Sequence, residues 1–304
     1  MVAVGIGLLN VQNFFDGDQK SVARAAADAE EAGVDFVSIT DHIVMGEKLE
    51  DYPYGSFPLP LTAPWYEPVV TLAAIAAVTE RIRLHTAILV SPLRPAVLLA
   101  KQIATLDDLS GGRVCIGFGV GWQRAEYDST GVPWEERFSR MDEQVKVCRL
   151  LWGEAPASFQ GKHTRFERLH QHPSPRQGAA LPIWFGLAPS DRHLRRIAEL
   201  GDGWIPMDQN PETLTANIAR LRQAVAAAGR PADAVGIRIV PRLRKGADGM
   251  LDLEATLAQI PDYVKAGATE VELHPAAFCR SAADLKPFFR TLAQAKGAQA
   301  GSLA

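Results

Sequence analysis

A histidine beside an aspartate is the pair in this sequence best suited to acid–base chemistry. Asp41 and His42 follow VDFVSIT over 34–40, a short β-branched and aromatic run typical of a buried strand. An imidazole changes charge near neutral pH, so His42 at the end of a strand could give or take a proton. The same histidine could instead only hold the following loop in place, and the residues alone leave both interpretations open.

Three closely spaced glycines form a second candidate. The stretch VCIGFGVGWQRAE over 114–126 carries Gly117, Gly119 and Gly121. A dinucleotide fingerprint needs its third glycine where Trp122 stands, and a P-loop needs a Gly-Lys-Ser/Thr ending that is absent. The sequence also indicates no helix directly after the glycines. We therefore interpret the motif as bare backbone against which a flat ligand would lie.

A turn after the apolar run LPIWFG over 181–186 has the composition of an anion site. Gly186 permits close backbone approach, and Ser190 could cap a following helix whose first N–H groups point outward. An ordinary strand-to-helix connection would have the same residues, so both interpretations stay open.

Composition excludes several function classes. The chain has 304 residues, 47% of them hydrophobic, and a net charge of −3, which gives no electrostatic argument for a nucleic-acid or membrane partner. No signal peptide or membrane span is indicated, so a cytoplasmic location is expected. The 3 cysteines are far apart and are expected to be buried thiols. No metal site is predicted, and three histidines are interpreted as polar surface: His163, His170 and His172.

Strand-like and helix-like segments alternate along the whole chain. The predicted strands cover 3–9, 34–40, 81–90, 113–119, 181–186, 202–207, 235–241 and 268–274. The predicted helices cover 21–33, 66–80, 94–112, 133–153, 190–201, 211–229, 251–267 and 283–296, with a bend expected at Pro261. Such alternation predicts parallel strands with right-handed crossovers, and its length predicts one TIM (β/α)8 barrel domain over 1–304. A doubly wound sheet is the alternative.

Two segments are too long for a minimal barrel. Residues 41–65 are predicted to form a lid loop, and 155–180 an insertion with a hairpin that turns at Gly161. The tail over 297–304 is expected to be frayed. Active sites of this fold lie at the carboxyl ends of the strands, which is where the candidates above fall.

Several motifs together resemble the luciferase-like monooxygenase family of TIM barrels, and within it the branch of probable F420-dependent oxidoreductases. They are DHIV at 41–44, YPYG at 52–55, WYEPVVTLAAIAAVTERIRL at 65–84, LVSPLRPAVLLAKQIATLDDLSGGRVCIGFGVGW at 89–122, GVPWEER at 131–137 and LGDGWIPM at 200–207. The resemblance runs from residue 1 to about residue 230. It implies a flavin or deazaflavin whose ring lies across the mouth of the barrel.

The resemblance also assigns individual positions. A bulge with a non-prolyl cis peptide at Ala87-Ile88 would support the ring, and the phosphate would lie on the turn after 181–186. His42 would have the acid–base role that the corresponding histidine has in some members of the family. The residues that the resemblance implies for the cofactor are Asp41, Thr86, Ala87, Ile88, Gly119, Val120, Gly121, Trp122, Gly186, Leu187 and Ser190. The lid residues Tyr52, Tyr54 and Trp65 would line the substrate pocket.

This chain departs from the family pattern at three positions. Relatives usually carry Gly-Gly where Gly186-Leu187 stands, which alters one backbone contact. Sugar-phosphate dehydrogenases of the wider family carry a catalytic glutamate near Trp122 and an asparagine near Ala125, and their absence argues against that activity. Glu126 is interpreted as a cap of the following turn.

The leading hypothesis is an oxidoreductase that transfers a hydride between coenzyme F420 and a small, hydrophobic organic substrate. An FMN-dependent monooxygenase is the alternative, and a non-catalytic flavin-binding barrel is the second alternative. Arg94, Arg192 and Lys48 could receive the acidic tail of F420 or simply be solvated. A homodimer is expected if the apolar helices at 66–79 and 94–109 pack on a second copy, although they would pack equally well on the barrel.

Overall fold

The computed structural model describes residues 2–207 and 210–296. Its strands are β1 (Ala3–Gly7), β2 (Phe36–Ile39), β3 (Arg83–Val90), β4 (Val114–Gly119), β5 (Ala157–Gln160), β6 (Arg165–Leu169), β7 (Ile183–Phe185), β8 (Gly203–Trp204), β9 (Gly236–Ile239) and β10 (Glu270–Leu273). The expectation of a frayed tail over 297–304 lies outside the described residues.

The helices follow the same order along the chain. They are α1 (Lys20–Ala32), α2 (Pro68–Ala76), α3 (Ala96–Ser110), α4 (Arg124–Thr130), α5 (Arg137–Gly153), α6 (Asp191–Leu200), α7 (Pro211–Ala227), α8 (Leu253–Leu257), α9 (Ile260–Ala266), α10 (Pro275–Phe278) and α11 (Leu285–Ala295).

Eight parallel strands close into a barrel in the order β1-β10-β9-β8-β7-β4-β3-β2. Around the barrel, strands β1–β4 are neighbours in chain order, and so are strands β7–β10. This order is the one expected for successive strand–helix crossovers of the same hand. The TIM barrel predicted from the alternating pattern is therefore confirmed. All carboxyl ends of these strands meet at one mouth, where the candidate residues lie.

The insertion at 155–180 contains the predicted hairpin. β5 and β6 pair antiparallel outside the barrel, with Gln160 opposite Arg165, so the turn includes Gly161. The predicted bend at Pro261 is a break between α8 and α9, because proline tolerates the first turn of a new helix better than a helix interior.

Three element predictions were wrong in detail. A short helix, α4, begins at Arg124, so the glycine motif is followed by a helix after all. The helix predicted over 133–153 starts as a 3-10 turn, Trp134–Glu136, before α5 begins. The strand predicted over 202–207 is shorter, since β8 covers only Gly203–Trp204.

The interior of the barrel contains an apolar cluster and a charged cluster that are in contact. Cys115, Trp184 and Ile205 pack together under β3, and burial raises the pKa of the Cys115 thiol to about 12. Arg238 lies next to them, with its guanidinium 4.9 Å from the centre of the Trp184 ring, and is buried against Glu270 and against the ring of His85. Burial, with Arg238 and Arg83 nearby, lowers the pKa of His85 well below its usual value, so this imidazole is neutral at pH 7.

All three cysteines are buried and free, as predicted. In residues 2–207 and 210–296, no helix combines the length and the apolar composition that crossing a membrane requires. The same residues contain no group of three or more histidine, cysteine, aspartate or glutamate side chains placed to hold a metal ion.

Candidate active site

His42 lies at the barrel mouth in contact with a buried carboxylate. Its Nδ1 is 3.1 Å from Oε2 of Glu126, and Oε1 of Glu126 accepts the backbone N–H of Ile43 at 2.8 Å. Glu126 is on α4 and has no exposed side-chain surface, while 9% of the His42 side chain is exposed. The pair fixes the imidazole in one orientation, as orienting carboxylates do for catalytic histidines.

Aromatic side chains from the lid enclose His42. Trp65 packs edge-on to the imidazole with ring centroids 4.6 Å apart, and Trp122 does so at 5.9 Å. Tyr52 and Phe57 pack on Trp122 at 5.2 and 5.3 Å, which joins the lid loop to the end of β4. The predicted pocket residues Tyr52 and Trp65 are thus brought together with the predicted acid–base residue.

Tyr54, the third predicted pocket residue, is at the edge of this cluster. Its ring contacts Tyr52 at 5.5 Å, and 52% of its surface is exposed. The indole Nε1 of Trp65 is buried but has no hydrogen-bond partner in the described chain. A buried donor without a partner is costly, so this N–H marks a place where a ligand atom could accept.

Asp41 does not bind His42; it belongs to an ion-pair cluster behind the site. Both of its carboxylate oxygens accept from Arg94, at 2.6 and 3.0 Å, and Oδ2 accepts the N–H of Val90 at 2.9 Å. Arg94 also donates to Glu67 at 2.9 Å. Burial disfavours the charged form of Arg94, but hydrogen bonds and charge from both carboxylates outweigh it and raise its pKa.

This cluster corrects two interpretations of the sequence. The aspartate that precedes His42 orients the loop through Arg94, and the carboxylate on the imidazole is Glu126, not a helix cap. Arg94 is engaged by Asp41 and Glu67, so its charge is already compensated and does not await an acidic cofactor tail. Lys48 is exposed in the lid loop.

The bulge predicted in the third strand is present. The peptide bond between Ala87 and Ile88 is cis, and the pairing of β3 with β4 shifts register between Thr86 and Leu89. Thr86 is buried and bridges the strands, since its Oγ1 donates to the Gly117 carbonyl and accepts the Gly117 N–H, both at 2.9 Å. Ala87 and Ile88 are only partly buried and pack on the interior cluster of Cys115, Trp184 and Ile205.

The glycines around the bulge make room for Ile88. A Cβ on Gly119 would be 2.4 Å from Cδ1 of Ile88, and a Cβ on Gly186 would be 2.5 Å from its Cγ2. A neighbouring side chain thus occupies the Cβ side of Gly119, and contact between its backbone and a flat ligand stays a prediction. Gly121 has a different role: its φ of +63° is left-handed, a conformation that favours glycine.

Two further loop residues, Val120 and Leu187, are fixed by hydrogen bonds to their backbone carbonyls. The carbonyl of Val120 accepts the Tyr127 hydroxyl at 2.5 Å, which fixes the turn that presents Trp122. Leu187 is buried, and its carbonyl accepts Nε1 of Trp204 at 2.8 Å. Leu187 is thus a packing residue in this chain.

The amino terminus of α6 opens toward the mouth after β7. Ser190 is its N-cap, with Oγ accepting the N–H of His193 at 3.3 Å, as predicted. First-turn N–H groups lack partners within the helix and attract anions, and Arg192 is exposed in the same turn. Binding of a phosphate here stays a prediction.

The site contains what a flat, partly polar ring system needs. Ala87, Ile88 and Trp122 leave apolar surface at the mouth, and the orphaned Nε1 of Trp65 offers a donor. Sequence reasoning missed Glu126 as the histidine partner, because a contact between residues 84 positions apart leaves no local pattern.

Comparison with known proteins gives the family. A sequence profile described as luciferase-like monooxygenase matches residues 9–248. Rv0953c, an uncharacterised protein of Mycobacterium tuberculosis, is 37% identical over 164 residues, which are 54% of this chain and 57% of that protein. The FMNH2-dependent dimethylsulfone monooxygenase of Pseudomonas putida is 31% identical over 216 residues, 68% of this chain and 58% of that enzyme. The matches thus span little more than half the length of both relatives.

Solved structures agree in fold. Monooxygenase RslO1 of Streptomyces bottropensis superposes with a TM-score of 0.77 at 21% identity, covering 98% of this chain and 99% of that one. The coenzyme F420-dependent tetrahydromethanopterin reductase of Methanopyrus kandleri gives 0.73 at 18% identity, covering 96% and 97%. The sequence profile and the fold agree, and the chain belongs to the luciferase-like monooxygenase family.

Proposed function

We propose that the protein is an F420-dependent oxidoreductase that transfers a hydride between the deazaflavin and a small, mainly apolar alcohol or carbonyl compound. The observation that supports this best is the buried pairing of His42 with Glu126 inside the aromatic cluster. Hydride transfer to or from an alcohol requires a proton to move at the substrate oxygen, and a positioned histidine supplies it.

The geometry gives the two imidazole nitrogens different tasks. A carboxylate that accepts at Nδ1 keeps the proton on that nitrogen and leaves Nε2 free to exchange one. Nε2 of His42 would take a proton from a substrate hydroxyl in oxidation, and the protonated ring would donate it to a carbonyl oxygen in reduction. Glu126 stabilises the imidazolium through its negative charge.

The chain would hold the cofactor with residues at the carboxyl ends of three strands, β3, β4 and β7. The backbone at Ala87-Ile88 and the turn at Trp122 would support the ring, and the first turn of α6 with Ser190 would take the phosphate. When bound, the deazaflavin supplies the ring carbon that accepts or delivers the hydride. The lid aromatic residues would cover the mouth and exclude water.

An FMN-dependent monooxygenase is the second candidate. The observation in its favour is the 31% identity with the FMNH2-dependent dimethylsulfone monooxygenase. Such a reaction requires a reduced cofactor that reacts with oxygen, which a deazaflavin does poorly. Oxygen consumption in the presence of reduced FMN and candidate substrates would favour this alternative.

We also propose that the protein forms a homodimer through the outer faces of α2 and α3. Val70 on α2 is 68% exposed, and α3 carries three exposed apolar side chains, Val97 at 37%, Leu98 at 52% and Leu109 at 67%. Light scattering on Val70→Glu should show a monomer where the wild type is a dimer. A wild type that is monomeric at all concentrations would contradict this proposal.

Fluorescence titration of the purified protein with F420 and, separately, with FMN tests the cofactor. We expect saturable binding of F420 and weaker binding of FMN. Tight FMN binding without F420 binding would shift the assignment to the monooxygenase, and the absence of binding of either cofactor would refute both assignments.

A further inference from the structure

A second histidine–glutamate pair lies at the barrel mouth and has no part in the proposed proton transfer. His274 directly follows β10, and Glu272 lies within it. In the barrel β10 is adjacent to β1, which in turn is adjacent to β2, the strand that leads to His42. The two pairs therefore approach the mouth from strands separated only by β1.

The ring of His274 lies inside the mouth. A Cβ on Gly7 of β1 would be 2.3 Å from Cε1 of His274 and 2.4 Å from its Nδ1. Residues two apart in a strand point to the same face, so Gly5 and Gly7 present the same side of β1. The space beside Gly5 on that side is filled by Phe36, which stacks on the interior His85. The side of Gly7 that the imidazole covers is thus the interior of the barrel.

The ring nitrogens of His274 have hydrogen-bonding capacity that the described residues do not use. A third of its side chain is exposed, at 33%, and its ring nitrogens make no hydrogen bond with any residue of 2–207 or 210–296. Its Nε2 is 3.7 Å from Oε1 of Glu272, too far for a direct hydrogen bond. The imidazole therefore has hydrogen-bonding capacity to offer to a molecule in the mouth.

Glu272 is fixed from two sides beneath this ring. Ser38 donates to its Oε1 at 2.8 Å, and Nη1 of Arg238 is 3.6 Å from its Oε2. Both Oε2 and Nη1 are buried without a hydrogen-bond partner in the described chain, while Nε of Arg238 donates to Glu270 at 2.8 Å. The carboxylate is thus positioned by neighbours, and it sets the local charge that His274 faces.

We infer that His274 is a substrate-binding residue that hydrogen-bonds a neutral oxygen of the molecule in the mouth, with Glu272 as its positioning residue. This inference rests on the proposed function, because it places the substrate of that reaction at the same mouth. Glu272 is the charged side chain that faces the His274 ring, and the Arg238 guanidinium behind it is shared with Glu270, so an anionic ligand group is disfavoured beside the imidazole. The substrate class is accordingly a small, mainly apolar alcohol or ketone and not a carboxylate.

The test uses the cofactor-free protein with histidine labelled by 13C at Cε1. The chain has 7 histidines, and the His274→Gln variant assigns the signal of interest. Four probes of similar size are titrated: cyclohexanol, cyclohexanone, cyclohexanecarboxylate and methylcyclohexane. We expect the alcohol and the ketone to move the His274 signal saturably, and the carboxylate and the hydrocarbon to leave it in place.

Two variants separate a specific contact from general structure. Gly7→Ala displaces the imidazole and should abolish the shift. Glu272→Gln changes the position of His274 and should weaken alcohol binding about tenfold, the amount expected if the hydrogen bond between imidazole and ligand is lost. His170→Gln, an exposed histidine on the hairpin, is the matched control and should bind like the wild type. Circular dichroism confirms that each variant is folded. The titration of the wild type with the four probes tests the inference even if a variant fails to fold.

Three results would overturn the inference: no probe moves the His274 signal, the hydrocarbon moves it as much as the alcohol, or the carboxylate binds best. The readout contains no cofactor, so it can succeed where the F420 titration fails, and it can fail where that titration succeeds.

Discussion

Replacing Arg94 with glutamine should remove about 3–5 kcal/mol from the free energy of unfolding, the cost of leaving a buried charge unpaired. The side chain of Asp41 is only 1% exposed, and Arg94 provides two of its hydrogen bonds. One bond, from the N–H of Val90, would remain. The contact with Glu67 adds at most about 1 kcal/mol, because that carboxylate is 37% exposed.

The same substitution should disturb the active site. Asp41 begins the lid segment and Glu67 follows its end, so one guanidinium holds both ends of the lid. Without it, the loop that carries His42 loses its anchor, and we expect cofactor affinity to fall along with stability. Arg94→Lys keeps the charge but not the two-pronged geometry and should show a smaller loss of both.

Urea unfolding followed by tryptophan fluorescence measures the effect, with Asp41→Asn and the double variant completing the cycle. If the buried carboxylate causes the loss, the double variant will be more stable than the sum of the single losses predicts, by about 2–3 kcal/mol. Additive losses, or an Arg94→Gln protein as stable as the wild type, would refute this account of the cluster.

Three further predictions concern other parts of the fold. Glu126→Gln should lower the rate of the reaction by about 10²-fold, since it disturbs the orientation of His42, and should leave the circular dichroism spectrum unchanged; an unaffected rate would argue against the pair. Gly186→Ala should cost about 1–3 kcal/mol through contact with Ile88, and Ile88→Ala in the same chain should recover part of the loss, whereas no recovery would place the strain elsewhere. Burial raises the pKa of the Glu30 carboxyl, but hydrogen bonds from the backbone N–H groups of residues 80–82 outweigh it and lower the pKa below 4.5. The ionised carboxylate therefore stabilises the folded state above that pH, and this contribution is lost as the pH falls. Glu30→Gln should therefore be less stable than the wild type at pH 7, by about 2 kcal/mol, with the difference shrinking in acid; a constant difference from pH 7 to pH 3 would contradict the assignment.

The sequence predicted the barrel well because its signal is local. Alternating strand and helix segments, Ser190 as a helix cap and the break at Pro261 each depend on neighbouring residues. The bulge at Ala87-Ile88 was predicted by family resemblance and is present, although no local pattern would have revealed it.

The partners of the site residues could not be predicted in the same way. Asp41 is next to His42 in sequence, yet it pairs with Arg94, 53 positions away. Glu126 is separated from His42 by 84 positions and reaches it only because β2 ends and α4 begins at the same mouth. Whether Gly119 faces a ligand or a side chain depends on how Ile88 packs, which is a property of the closed barrel.

Anaerobic reduction of small ketones by protein loaded with reduced F420 tests the central claim most directly. The account predicts that the wild type oxidises the cofactor in the presence of at least one ketone. His42→Gln should slow this reaction about 10²- to 10⁴-fold, with F420 affinity unchanged. Equal rates in the two proteins, or no reaction under argon but rapid oxygen uptake with reduced FMN, would contradict it.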